Sequence, residues 1–188
     1  MRRKMVFVLL AVLFCVGCAG RSAYMLPTTV LLQPTEDKAL VRFMRPSGYG
    51  FAINFNILDG EKVIGNSVAK SQFDYLAEPG KHLFIAMAEN KVFLEADLEA
   101  GKTYYVFTRV YTGVWKARVG FIAVNRGSKY WDQVRTFENE LRKVRPNTAA
   151  LKAWEDANKT KIEELVSQYE RKWKTAYQWP KLAPEDGR

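Results

Sequence analysis

The sequence predicts a mainly β protein: a small antiparallel β-sandwich followed by two C-terminal α-helices, the second long. Three observations predict it. Between Ala39 and Val124, apolar residues recur at alternate positions in short runs about ten residues apart, the spacing of strands in a sandwich or barrel. Turn sequences, Asp59-Gly60, Glu78-Pro79-Gly80 and Ala100-Gly101-Lys102, separate those runs. After Ser128 the apolar spacing changes to three and four residues, the period of a helix.

The chain opens with Arg2, Arg3 and Lys4, a short apolar run from Met5 to Val16, then Gly17 and Cys18. That is the organisation of a secretory signal. A run of about a dozen apolar residues is shorter than the roughly 20 a transmembrane helix needs. The Val16-Gly17-Cys18 end resembles the lipobox of bacterial lipoproteins, with Cys15 where that pattern usually has leucine. The resemblance implies that residues 1–17 are removed and that Cys18 is acylated as the mature N-terminus. Ala19 and Gly20 follow without an acidic residue, which in lipoproteins sorted in the usual way implies the outer membrane, the periplasmic face being preferred to the cell surface. A single acyl chain binds marginally, at ~0.8 kcal/mol per buried methylene, whereas several together anchor firmly. Cleavage after Gly20 would instead release a soluble secreted protein.

Residues 18–37 read as the lipidated cysteine and a tether, because Leu26-Pro27 and Gln33-Pro34 break any helix. Some twenty extended residues would reach ~65 Å. The alternative is an edge strand at Val30-Leu31-Leu32.

Residues 38–125 carry the sandwich. Ala39 to Met44 alternates and stops at Arg45-Pro46, and Ser47 to Gly50 forms a loop. Phe51, Ile53, Phe55 and Ile57 share one face of a predicted strand, with Asn54 and Asn56 on the other. Asp59-Gly60 turns into Lys62 to Ile64. Phe73 and Tyr75 mark a strand that ends at Pro79-Gly80, and Lys81 to Met87 leaves it. Asn90 breaks the chain before Val92 to Leu98. Thr103 to Tyr111 is the longest strand, and Arg118 to Val124 the last.

The ordered set of Arg45-Pro46 with its glycine loop, Asp59-Gly60, Pro79-Gly80-Lys81-His82, Glu89-Asn90-Lys91 and Ala100-Gly101-Lys102-Thr103-Tyr104-Tyr105 resembles one family. It is the bacterial lipoprotein domain-of-unknown-function family DUF twenty-eight forty-six, over roughly residues 38–124. The resemblance implies a compact β-sandwich on a lipid anchor and supplies no catalytic residue.

Residues 126–188 form the helical extension. Ser128 caps a predicted helix through Trp131, Val134, Phe137 and Leu141, which Arg145-Pro146 ends. Asn147 or Thr148 caps a second, expected to run to Tyr177. In it Leu151, Ile162 and Trp173, and likewise Trp154, Leu165 and Ala176, are spaced by eleven, a straight or slightly right-handed seam. A helix of some thirty residues would span ~45 Å, so part of it is expected to project or to meet a partner.

Composition narrows the function classes. The only two cysteines, Cys15 and Cys18, lie in the signal, so the folded part has no thiol for a disulfide, a metal or a nucleophile. The formal charge of +9 loses three units with Arg2, Arg3 and Lys4, and the rest is mixed along the chain, so nucleic acid is not an expected partner. His82 is the only histidine, which excludes a histidine-based metal cluster, and at the start of a strand it reads as a packing or solvent-facing residue rather than a catalytic base. Neither a Gly-x-Ser-x-Gly elbow nor a phosphate loop occurs, and Asn158-Lys159-Thr160 lies mid-helix, out of place for a glycosylation sequon. Glutamates 163, 164 and 170 with lysines 159, 161, 172 and 174 read as a solvated helix face. No cofactor is expected.

Two non-enzymatic readings follow. In the first, the protein acts through protein–protein contact in an outer-membrane assembly and docks an envelope protein along Trp154, Leu165, Tyr169 and Trp173. In the second, outward aromatic residues, Tyr49, Tyr105, Tyr111 and Trp115, bind an envelope glycan or other small ligand. Packing of those rings beneath the C-terminal helices is the plainer alternative.

Overall fold

The computed structural model describes residues 22–113 and 117–188. The signal, Cys18 and Trp115 lie outside the described residues. The strands are β1 (Met25–Pro27), β2 (Ala39–Arg45), β3 (Phe55–Asp59), β4 (Lys62–Ser67), β5 (Ser71–Ala77) and β6 (Gly80–Met87). They continue with β7 (Lys91–Leu98), β8 (Thr103–Tyr111), β9 (Arg118–Ala123), β10 (Arg142–Pro146) and β11 (Lys181–Leu182). The helices are α1 (Trp131–Glu140), α2 (Thr148–Ala157) and α3 (Lys159–Gln168). A π-helical turn, Tyr169–Trp173, and a last α turn, Lys174–Ala176, extend α3.

Two sheets face each other, one ordered β1-β10-β5-β2-β8-β9 and the other β11-β7-β6-β3-β4. Their inner faces close on Val41, Phe43, Ile57, Phe73, Phe84 and Leu94. Phe43 stacks on Phe73 at 5.1 Å and meets the edge of Phe84 at 5.3 Å. The expected mainly β sandwich with helices after it is therefore present. Its sheets are mixed, because β2–β8, β5–β10 and β7–β11 pair in parallel.

The outer faces are covered as well. Helix α1 lays Val134, Phe137 and Leu141 over Met44 and Phe107 of the six-stranded sheet. Helices α2 and α3 lay Leu151, Ile162, Leu165 and Tyr169 over Leu58, Ile85 and Phe93 of the five-stranded sheet. Covering on both sides explains why every residue of β2 is buried.

Several expectations are corrected. The long second helix is two helices, because the Asn158 side chain donates to the carbonyl of Trp154 at 2.8 Å and turns the chain there. The stretch expected to end the first helix, Arg142–Pro146, is a strand: Leu141 is extended, and Arg142 and Lys143 pair with Ser71 and Gln72. The 126–188 region is thus not a separate extension, since β10 and β11 complete the two sheets. Asn147 does cap α2, accepting from the amide of Ala150.

The strand expected at 51–57 begins at Phe55. Gly50 has φ +63°, and the buried Arg45 guanidinium takes the carbonyls of Gly50 at 2.7 Å and Ile53 at 2.6 Å, which a strand would have used in its ladder. Arg45 has no carboxylate partner among the described residues, and burial lowers its pKa to about 10. At Asp59-Gly60 the expected hairpin forms, with Gly60 at φ +56°.

The tether is corrected most. Residues 25–27 form β1 against β10, and residues 28–37 run along the sheet rather than away from it. Asp74 accepts from the amide of Leu32 at 2.7 Å, and Arg42 donates to the Leu32 carbonyl at 3.0 Å. Arg42 in turn pairs with Asp74 at 2.6 Å and with Glu138 of α1. The alternative edge strand at Val30 to Leu32 does not form, since Asp74 and Arg42 take the backbone groups of Leu32.

Candidate functional site

Strand β8 decides where an aromatic site can exist. Its even positions, Tyr104, Val106 and Val110, face the inner core, and its odd positions, Tyr105, Phe107, Arg109 and Tyr111, face outward. Helix α1 covers only the first two of these. Tyr105 meets Trp131 edge-on at 5.4 Å and donates its hydroxyl to Glu138, and burial and Glu138 together raise its pKa to about 12. Tyr105, expected among the ligand-binding rings, is therefore a packing residue. Arg109 and Tyr111 lie beyond the helix and are exposed.

The β8–β9 hairpin sets what stands opposite them. Tyr111 pairs with Arg118, and Arg109 with Gly120. A Cβ at Gly120 would lie 3.3 Å from both the Arg109 Nε and the Tyr111 ring, so the missing side chain lets both lie across β9. The Arg109 guanidinium carbon sits 5.2 Å from the Tyr111 ring centroid.

The opposite wall comes from β7 and the segment after α3. Trp173 and Trp179 pack on Phe93 at 5.5 and 5.0 Å, and Tyr177 lies 5.3 Å from Trp179. Trp179 Nε1 donates to the Trp173 carbonyl at 2.9 Å, and the Glu95 amide donates to the Pro180 carbonyl at 3.1 Å, which holds this segment on β7. A π turn, a helix irregularity frequent at functional sites, ends at Trp173. At the floor, the Asn90 amide group bonds both the N–H and the carbonyl of Val119 at 2.9 Å. That side chain joins the β6–β7 turn of one sheet to the edge strand of the other.

The result is a groove of about 510 Å³ between the β8–β9 hairpin and residues 173–180. Its charged lining residues are Lys91, Arg109 and Arg118, and it has no carboxylate. Neither arginine side chain forms an ion pair with a described residue. Lys91 donates to the carbonyl of Ala88 at 2.7 Å. Burial, with Lys161 adding like charge, holds Lys91 below the ordinary lysine value against the opposing pull of Glu89.

A second groove, about 400 Å³ between β6, β7 and α3, differs in charge balance. There Lys181 pairs with Glu95 at 2.6 Å, Lys174 with Glu170 at 2.8 Å, and Tyr169 donates to Glu95, so most of its charged groups already have partners. His82, which also lines it, contacts Asp59 at 2.7 Å and the Glu78 carbonyl at 2.7 Å. Both ring nitrogens thus face acceptors. Burial lowers the His82 pKa, but Asp59 and Glu78 outweigh it and the net shift is upward. A doubly bonded imidazolium is a structural histidine, not a free base. Among the described residues, no cluster of three or more potential metal ligands occurs.

The residues expected for partner docking are placed differently from that expectation. Leu165 is 5 % exposed and Tyr169 1 %, both against the five-stranded sheet, with Trp154 packed at the margin of the same cluster. The apolar seam is used inside the chain because a sheet with a second apolar face lies within reach. Trp173 instead joins the groove. Tyr49, 54 % exposed, bonds Thr112 at 2.7 Å and reaches only the neighbouring rim. Asn56, on the polar face of its expected strand, is buried and bonded to Asn66. The cationic half of the groove was missed. Its signal was the odd-position parity of Arg109 and Tyr111 together with Arg118 across the hairpin.

Comparison of the chain with family models, with curated proteins and with solved structures finds no match. No described helix is long and apolar enough to cross a membrane.

Proposed function

We propose that this chain is a lipid-anchored, non-catalytic protein of the bacterial cell envelope that binds an envelope glycan or a ring-bearing small ligand in the groove beside β9. One observation carries the reading. Exposed rings of Tyr111 and Tyr177, backed by Trp173 and Trp179, share an open groove with unpaired hydrogen-bond donors. Amphipathic aromatic rings that remain partly wet suit a ligand with apolar faces and polar edges, such as a sugar. A volume of about 510 Å³ is that of a small-molecule site.

The cellular address rests on the signal and on Cys18. With β1 starting at Met25 and Ser22 already at the domain, the chain between Cys18 and Ser22 reaches about 14 Å at most. Acylation at Cys18 would therefore hold the sandwich against the lipid surface, not on a long stalk. The resemblance of the turn motifs to those of the lipoprotein family points to the same address. The long-helix docking reading loses its surface, since Leu165 and Tyr169 are buried.

The test is a titration of the acylated full chain in detergent micelles with saccharide fragments of purified cell-wall sacculi and with chito-oligosaccharides, followed by tryptophan fluorescence and calorimetry. Saturable binding that the Tyr111→Ala/Tyr177→Ala double variant weakens about tenfold or more is expected. Absence of saturable binding to every saccharide would overturn the reading. For the anchor, Cys18→Ser should abolish incorporation of an alkynyl fatty acid and free the chain from the membrane fraction.

A further inference from the structure

We infer that the groove selects acidic ligands, sugar rings bearing a carboxylate or phosphate, with the anion held between Arg109 and Arg118 and the ring against Tyr111 and Tyr177. The inference rests on the binding reading above and adds the charge class of what is bound.

Charge balance supports it. The grooves elsewhere on the surface contain their own counter-ions, as Lys181 does in Glu95 and Lys152 in Asp156 at 2.5 Å. In this groove the three cations line one cavity without a carboxylate. Gathering like charges is unfavourable until an anion enters, and the ligand that neutralises them recovers that cost.

Geometry supplies the donors. Arg109 spends the face of its guanidinium on the Tyr111 ring, which leaves its in-plane N–H groups available, and no described residue accepts from them. Arg118 stands across the hairpin from Tyr111, two residues along β9 from Gly120, over which the Arg109 side chain lies. Two guanidinium groups on neighbouring strands, neither ion-paired to a described residue, suit the paired oxygens of a carboxylate or phosphate. The exposed Tyr177 ring on the far wall, 59 % exposed, leaves the ring-binding surface in reach of the same molecule.

The test uses the acylated full chain in detergent micelles, with four probes compared by calorimetry: N-acetylmuramic acid, glucose 6-phosphate, neutral N-acetylglucosamine and inorganic phosphate. The two acidic sugars should bind about tenfold or more tightly than the neutral sugar, and more tightly than phosphate alone. Raising the ionic strength should weaken the acidic sugars and leave the neutral one unchanged. Arg109→Ala/Arg118→Ala should bring acidic and neutral sugars to the same affinity, and Arg118→Glu should reverse the preference. Both arginines are exposed, so these variants should keep the circular dichroism spectrum of the parent. Equal affinity for acidic and neutral sugars would overturn the charge selection while leaving the glycan reading intact. Phosphate binding as tightly as glucose 6-phosphate would overturn the role of the rings. Failure of all four probes would overturn both readings together.

Discussion

Replacing Leu165 with alanine separates a helix that closes the sandwich from one that waits for a partner. Leu165 is 5 % exposed and packs in the cluster of Leu58, Ile85, Phe93, Ile162 and Tyr169. Truncation removes three carbons, worth roughly 2.4 kcal/mol at ~0.8 kcal/mol each. The cavity left behind brings the loss to about 2–5 kcal/mol. Leucine and alanine differ little in helix propensity, so the change reports packing. In a domain of this size each kcal/mol moves the midpoint by about 2–4 °C, which gives a fall of about 4–20 °C. Thermal and urea unfolding, followed by far-ultraviolet circular dichroism, measure it. Glu164→Ala, on the exposed side of α3, should stay within about 0.5 kcal/mol of the parent. A Leu165→Ala variant as stable as the Glu164 control would refute the packing and return the seam to the partner-docking reading.

Three further outcomes follow from local geometry. His82 has a raised pKa in the folded chain, above its ordinary 6.5, because Asp59 and the Glu78 carbonyl outweigh burial. The native state then holds a proton that the unfolded chain releases first. Its stabilising effect is full below the unfolded value and is lost as pH rises through the folded one. Urea midpoints across neutral pH should show that decline, and His82→Gln should flatten it. Asn90→Ala removes two side-chain bonds to Val119 and should cost about 1–3 kcal/mol in urea unfolding, with loss of hydrogen-exchange protection along β9. An unchanged Val119 amide would contradict the bridging role. Gly50→Ala places a Cβ 2.7 Å from Val110 Cγ1 at a φ of +63°, so the variant should lose more than about 1 kcal/mol, while Gly127→Ala, with open space, should not.

The β half was legible because strands write their period locally. The alternation from Ala39 to Met44 and the glycine turns at 60, 80 and 101 each depend on a few adjacent residues. The expected strands at 62–64, 81–87, 92–98, 103–111 and 118–124 all appear within a residue or a few of those bounds. Strand 51–57 was half wrong because its first residues answer to Arg45, a non-local partner, and not to their own alternation. Strand β10 was invisible for the same reason. Arg142–Pro146 has little strand pattern, and its pairing is supplied by β1 and β5 from far along the chain.

The candidate site was legible in part. Tyr111 and Trp173 stood out as candidate binding aromatics, and parity alone sent Tyr111 outward. Which rings stay exposed depends on how far α1 reaches along β8: it covers Tyr105 and Phe107 and stops short of Arg109. Lys91 and Arg118 became partners in one cavity only because Asn90 ties β9 to the turn of the other sheet.

By itself the sequence determined the strand periods, the turns, the change to helical spacing after Ser128 and the presence of a single histidine. These are properties of neighbouring residues and of composition. Tertiary structure decided which apolar faces meet. An amphipathic helix such as α3 states that it needs an apolar surface but not which one, and the outer face of the five-stranded sheet met that need inside the chain. The groove has the same origin: its arginines lie more than fifty residues from Trp173, Tyr177 and Trp179, and only the pairing of β8 with β9 and the seating of residues 173–180 on β7 bring their chemistry to one place.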